Sequence, residues 1–300
     1  MLPELFYLVN FTCSILFCVI GLIFSLLIVI IIVKTGRFRT FDNLLICNSS
    51  MSVVFYSIIT LIGSISSLEK DWIINERYCV FRAYFYNVGI AAICYSKSMH
   101  AISRFFFAIL YKHRYLLTMR THQILIILTW IISLVICIPP FFVENGYGLE
   151  IESRSCVISS KMFILALYIT FVSCLIPFQI IIYIYLYILC YVYRSTRRIH
   201  AFHQNINHLR KTNREMKLMK QMLIQTSILL TGGPLFLFLV LWHATQSQSP
   251  PQYLYLLAFN LMTIVATIVP LIQFFMHKQI RQSSLQLFRT YRQQRLWNIT

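Results

Sequence analysis

Four stretches of this chain carry no Asp, Glu, Lys or Arg between their ends: Glu4 to Lys34, Asp42 to Glu69, Lys161 to Arg194 and Lys220 to Lys278. Lipid cannot satisfy backbone polar groups, so such runs cross a membrane as helices or as closed barrels. A spanning helix takes about 20 apolar residues, which gives one span to each of the first three runs and two to the last. The alternating segments of about ten residues that mark a barrel are missing. The charged share is 12%, about half that of a soluble domain, and mean hydropathy is +0.71, so a soluble fold is excluded. The expected class is an all-α membrane protein, with seven spans at about 6–34, 43–67, 78–110, 122–142, 162–193, 216–243 and 253–276.

The formal charge of +17 is spread along the chain in a pattern that reports topology rather than nucleic-acid binding. Lys34, Arg37 and Arg39 follow span one, Lys112, Arg114 and Arg120 follow span three, and a basic segment from Arg194 to Arg214 follows span five. The acids occupy the alternate connections, and of nine only Asp42 and Glu215 fall on the basic side. The positive-inside rule then predicts an outside N-terminus, a cytoplasmic C-terminus and a multi-pass protein of the plasma membrane. The first run is too long for a cleavable signal peptide and is expected to remain as a span.

Cysteines are scattered without a CxxC pair, and most lie in apolar runs as small hydrophobes. Cys79 and Cys156 are the two predicted to face outside between spans. An oxidising compartment makes them a natural disulfide, the alternative being two free thiols. Asn10-Phe11-Thr12 is a sequon on the same side. Arg104 lies in an apolar setting, Ser103-Arg104-Phe105-Phe106, where a charge either snorkels to the interface or has a partner or function. Prolines interrupt the later spans: Pro139 and Pro140 in four, Pro177 in five, Pro234 in six and Pro270 in seven. Three consecutive spans with a mid-helix proline suggest a bundle that opens a cavity or changes shape.

Seven spans, Cys79 with Cys156, Trp130 in span four and the late prolines together resemble the rhodopsin-like (class A) G-protein-coupled receptors. Arg104, twenty-five residues after Cys79, falls where that family keeps the arginine of Asp-Arg-Tyr, here Ser103-Arg104-Phe105. Pro177 with Tyr185 resembles the helix-five pair, and Val269-Pro270-Leu271-Ile272-Gln273 matches Asn-Pro-x-x-Tyr at its proline. Residues 275–281 resemble the start of a short amphipathic eighth helix, expected at about 278–289, which closes a receptor domain of 1–290 and leaves a tail of 291–300. The resemblance implies a receptor for an extracellular small molecule or short peptide that signals to a heterotrimeric G protein. Arg104, Tyr185, Pro234 and Pro270 would then carry activation, with membrane lipids as surroundings and no enzyme activity, cofactor, metal or nucleic acid.

Departures from the family pattern are several. Ser25 and Val53 stand where it keeps an asparagine and a sodium-binding aspartate, and Thr231-Gly232-Gly233-Pro234 replaces Cys-Trp-x-Pro. Without an acid before it, and with Arg214 opposite, Arg104 is expected to have lost its resting restraint. Lys97, two turns inward of Arg104, is expected to occupy the polar space that sodium takes in relatives. The implied ligand pocket draws on Tyr86, Asn87, Ile90, Trp242, His243 and Tyr255. The aspartate of amine receptors is replaced by Tyr86, and no lysine occurs between Lys220 and Lys278 to form a retinal Schiff base. The short N-terminal tail is expected to hold no separate ligand-capturing domain. The rival class is a transporter or channel, for which Lys97 is the one midplane charge and no buried acid accompanies it. His200, His203 and His208 read as a solvated basic loop rather than a metal site.

Overall fold

The computed structural model describes residues 4–36, 40–69, 76–150, 153–159, 162–200, 219–246, 250–277, 280–284 and 286. Arg214, the three-histidine loop apart from His200, and the tail 291–300 lie outside the described residues. The helices are α1 (Glu4–Lys34), α2 (Phe41–Glu69), α3 (Glu76–Ala108), α4 (Met119–Ile136), α5 (163–200), α6 (Met219–Thr245) and α7 (Gln252–Met276). Residues 280–284 and 286 form the described part of an eighth helix, whose buried Ile280 packs on Ile28, Ile31 and Ile32 of α1.

The bundle is ordered opposite to a soluble protein. On α2, Asn48, Ser49, Ser52 and Thr60 point inward, while Met51, Ile58, Ile62 and Ile65 are exposed. The hydroxyls of Ser52 and Thr60 donate to the carbonyls four residues back, so they need no water inside the bundle. Six described helices are long and apolar enough to cross a membrane, and α3 is not among them. Its polarity has a structural reason: between residues 91 and 104 only Tyr95 and Ile102 are less than fully buried. Protein rather than lipid surrounds α3, so its polar and charged side chains meet other side chains.

Each late proline leaves a backbone group to be satisfied. In α5 the helix Phe163–Thr170 passes through a π turn, Phe171–Leu175, into the helix Ile176–His200. A π turn pairs each carbonyl with the nitrogen five residues on, and for Val172 that is Pro177, which has no N–H. Tyr95 Oη donates to the Val172 carbonyl instead, at 3.0 Å, and Ser98 Oγ donates to the Pro177 carbonyl at 3.0 Å. In α6 three successive turns, at Thr231, Gly232 and Gly233, bond to the third residue back before Pro234 restarts the helix. Pro270 lies inside α7. In the fourth span, Met119–Phe142, the α-helix stops at Ile136 and Pro139–Phe142 form a 3₁₀ turn.

At the opposite end from Arg104, strands β1 (Tyr147–Glu150) and β2 (Ser155–Ile158) pair antiparallel, with Leu149 opposite Cys156. Cys156 is joined to Cys79 of α3 by a disulfide with Cα atoms 5.2 Å apart. The hairpin is thereby held across that end of the bundle.

Close approach of α1 to α7 depends on Gly21. A Cβ there would lie 2.6 Å from Thr267 Cγ2, and Thr267 is held by its hydroxyl on the Thr263 and Ile264 carbonyls. Gly21→Ala is expected to destabilise the bundle by about 1–3 kcal/mol through overpacking, read as a lower melting temperature of the protein in lipid nanodiscs.

Candidate functional site

Arg104 ends α3 beside the start of α2. Its Nη2 lies 2.8 Å from Asp42 Oδ1, with side-chain exposures of 10% and 36%. Asp42 sits in the first turn of α2, where a carboxylate also meets the positive end of the helix dipole. The expectation that Arg104 had lost its restraint is therefore corrected. The acid comes from α2 rather than from the preceding position. Position 103 serves otherwise: Ser103 Oγ lies 3.0 Å from His122 Nε2, and His122 Nδ1 lies 3.0 Å from the Thr118 carbonyl. A carbonyl only accepts, so Nδ1 carries the proton and Nε2 accepts from the serine. Phe41 and Phe107 pack on the same imidazole, 4.8 and 5.9 Å between ring centres.

Tyr185 is buried in the core with Ile188, Met219 and Met222, within the electrostatic reach of Arg104. Two turns further along α3, Lys97 Nζ donates to Gln225 Oε1 of α6 at 3.0 Å, with both side chains buried. A cation thus ties α3 to α6 through an amide, and the Gln225 Nε2 has no acceptor among the described residues. Val53 lies in the apolar core, and the ammonium reaches α6 rather than a serine or asparagine. Lys97 and Arg104, together with His100 and Asp42, are the charged or titratable neighbours of His277 at the end of α7. Burial above all, and the two cations, hold the His277 imidazole down to about 4 against the opposing pull of Asp42.

The hairpin end holds a cavity of about 60 Å³ between α1, α2, α3, α7 and β2. Asn10, Thr60, Ser64, Asn260 and Thr263 give it polar edges, and Phe11, Ile59, Leu256 and Phe259 give it apolar walls. Arg82 of α3 is 7% exposed, lines the same space and donates from Nη2 to Cys156 Sγ at 2.9 Å. Over this end, Arg154 forms a bidentate pair with Glu4 at 2.8 and 3.0 Å and lies 4.0 Å above the Tyr7 ring. The Glu4 carboxylate above all holds the Arg154 guanidinium above its ordinary value, but the pair is exposed and worth at most about 1 kcal/mol.

Of the six residues expected around a ligand, Tyr86 lines this cavity. Asn87 donates to the Ala83 carbonyl of its own helix, and Ile90 packs against the apolar core. Trp242 meets Phe238 edge to face, while His243 hydrogen-bonds the buried Tyr255 hydroxyl. None of those five lines the cavity. Arg82 and Asn260 escaped the sequence reading, although Arg82 announces itself as a charge one turn below Cys79, and Asn10 was read as a sequon alone. The sequon residue Asn10 lies within α1 and accepts a hydrogen bond from Asn260 Nδ2 in the cavity wall, a place with no room for a glycan.

The sequence model described as "7 transmembrane receptor (rhodopsin family)" matches residues 25–273. The chain belongs to that family. It is 25% identical over 142 residues to a GQ-coupled rhodopsin of Mizuhopecten yessoensis, covering 46% of this chain and 28% of that one. It is 25% identical over 129 residues to a QRFP-like peptide receptor of Branchiostoma floridae, covering 42% and 34%. G protein-coupled receptor 161 of Bos taurus matches at 25% over 136 residues, covering 44% and 26%. The matched stretches thus span about a third or less of these relatives. The crystal structure of squid rhodopsin superposes with TM-score 0.82 over 97% of this chain and 87% of that one, at 20% identity. The shared fold is the seven-helix bundle.

Two expectations follow for this family member. Gln225→Leu leaves the buried Lys97 ammonium without its acceptor and should cost about 1.5–3 kcal/mol. Adding Lys97→Met should restore most of that loss, because an apolar pair replaces an unpaired charge; melting of the single and double variants measures both. His277 resists protonation when folded, so its share of stability is complete above 6.5 and is lost as pH falls toward 4. The melting temperature should fall across that window, and less steeply in His277→Gln.

Proposed function

We propose that this chain is a receptor of the plasma membrane that responds to an extracellular ligand and signals to a heterotrimeric G protein. In this reading the hairpin end faces outside and the Arg104 end faces the cytoplasm. The basic connections on the Arg104 side and the disulfide at the other end support that orientation. The observation that carries the reading is the state of Arg104, a mostly buried cation at the end of α3 paired with the half-exposed carboxylate of Asp42. A tie of that kind is weak enough to be exchanged for a partner's acceptor groups. The ligand shifts a pre-existing equilibrium by preferring one arrangement of the bundle. The breaks in α5 and α6 and the Pro270 position in α7 are where the helices would bend. Tyr185 would move with α5 beside Arg104, and Pro234 and Pro270 would act as the hinges.

A lysine for retinal is missing from α7, so the ligand is not a Schiff-base chromophore. The transporter or channel reading gains nothing from the midplane, where Lys97 faces an amide rather than an acid. No catalytic step belongs to this reading.

The test is nucleotide exchange by a panel of purified heterotrimeric G proteins with the full chain in nanodiscs. Wild type should support basal exchange with at least one of them, and Arg104→Ala should abolish it. Asp42→Asn should raise basal exchange up to about fivefold, the factor equivalent to about 1 kcal/mol for an exposed ion pair. A properly folded wild type that activates none of the panel would overturn the reading.

A further inference from the structure

Arg82 differs from the other two arginines whose partners have been described. Arg104 has Asp42 and Arg154 has Glu4, both carboxylates. Arg82 is more deeply buried than Arg154, yet no acidic side chain pairs with it among the described residues. A guanidinium carries five N–H donors, and here one is used, on a disulfide sulfur, which is a weak acceptor. Arg82 lines the cavity, and a carboxylate is the group that matches a guanidinium fork bidentately.

The remaining lining narrows the class of ligand. Thr60 and Ser64 already donate their hydroxyl protons, to the Tyr56 carbonyl and Ser14 Oγ, and Asn260 donates to Asn10. With those donors engaged, the cavity has one strong anion-binding group rather than the several that a polyanion needs. Opposite the polar edge the walls are apolar, formed by Phe11, Ile59, Leu256 and Phe259. About 60 Å³ exceeds the room for a single water, on the order of 10–15 Å³, and falls short of the roughly 150 Å³ that holds a benzene ring. A carboxylate on a short alkyl chain satisfies the charge, the walls and the volume together.

We propose that Arg82 anchors a binding site for a short-chain monocarboxylate in the cavity between α1, α2, α3, α7 and the hairpin. Its use as an agonist site rests on the receptor reading above, whereas the binding itself does not. Gly63 of α2 provides an independent handle. A Cβ on it would meet Arg82 Cδ and Nε at 3.9 Å, an ordinary contact, with nothing nearer. Gly63→Asp therefore places an internal carboxylate beside the guanidinium, and Gly63→Asn places its neutral counterpart there.

The experiment uses the full chain in nanodiscs at constant ionic strength, with sodium acetate, acetamide and sodium sulfate as probes. Isothermal titration and thermal melting are the readouts. Acetate should bind saturably and raise the melting temperature, and the neutral acetamide and the sulfate should not. Arg82→Gln should weaken acetate binding more than tenfold. Gly63→Asp should raise the melting temperature without ligand and abolish acetate binding, while Gly63→Asn keeps at least part of it. If Arg82→Gln does not fold, the Gly63 pair carries the test. Equal binding of acetamide or sulfate, or undiminished acetate binding by Arg82→Gln or Gly63→Asp, overturns the proposal. Absence of acetate binding beside intact Arg104-dependent exchange would count against this site alone. Acetate binding without exchange by any G protein would count against the receptor reading alone.

Discussion

A cation at the centre of a membrane helix costs about 2.5–3.5 kcal/mol even on lenient insertion scales, and α3 carries Arg82, Lys97 and Arg104. The bundle depends on surrounding this one helix with protein. Around it the chain places α2, α4, α5, α6 and the hairpin, and it gives each cation a different neighbour. Arg104 meets a carboxylate, Lys97 an amide and Arg82 a disulfide sulfur at the edge of a cavity. Because the partners come from three separate elements, the arrangement of those elements is set by the needs of α3.

The same helix also satisfies backbone groups that the later helices leave open. Tyr95 and Ser98 donate to carbonyls on either side of the α5 break, and Ser103 donates to the α4 imidazole. The interruption in α5 is therefore satisfied by α3, and the one in α6 by its own turn hydrogen bonds. An element that bends at such a break exchanges a few specific hydrogen bonds rather than repacking an apolar core. That economy is what makes a bundle with fixed outer walls and adjustable later helices physically reasonable.

The helical architecture was legible because lipid imposes a strict rule: runs of about 20 residues without charge become helices. Basic and acidic connections alternate for a similarly simple electrostatic reason, and the cysteine pair follows from having two candidates at one end. α3 was legible as a helix of the bundle only in the company of the others, since its own composition does not meet the apolar standard. Its 33 residues look half soluble. That polarity is the imprint of being enclosed.

Partners across helices were not legible, because hydrogen bonds and ion pairs are set by distance in space. Asp42 lies 62 positions before Arg104, and Gln225 lies 128 positions after Lys97. The sequence showed Asp42 as an acid on the basic side, without showing what it met. The tertiary structure also decided where an internal space lies: beside α1, α2 and α7, with Arg82 at its edge. By itself the sequence determined that this chain crosses a membrane as a helix bundle. Which group answers each buried charge was decided only when the helices packed, because burial makes a charge choose its partner at about 3 Å, a scale that no spacing along the chain encodes.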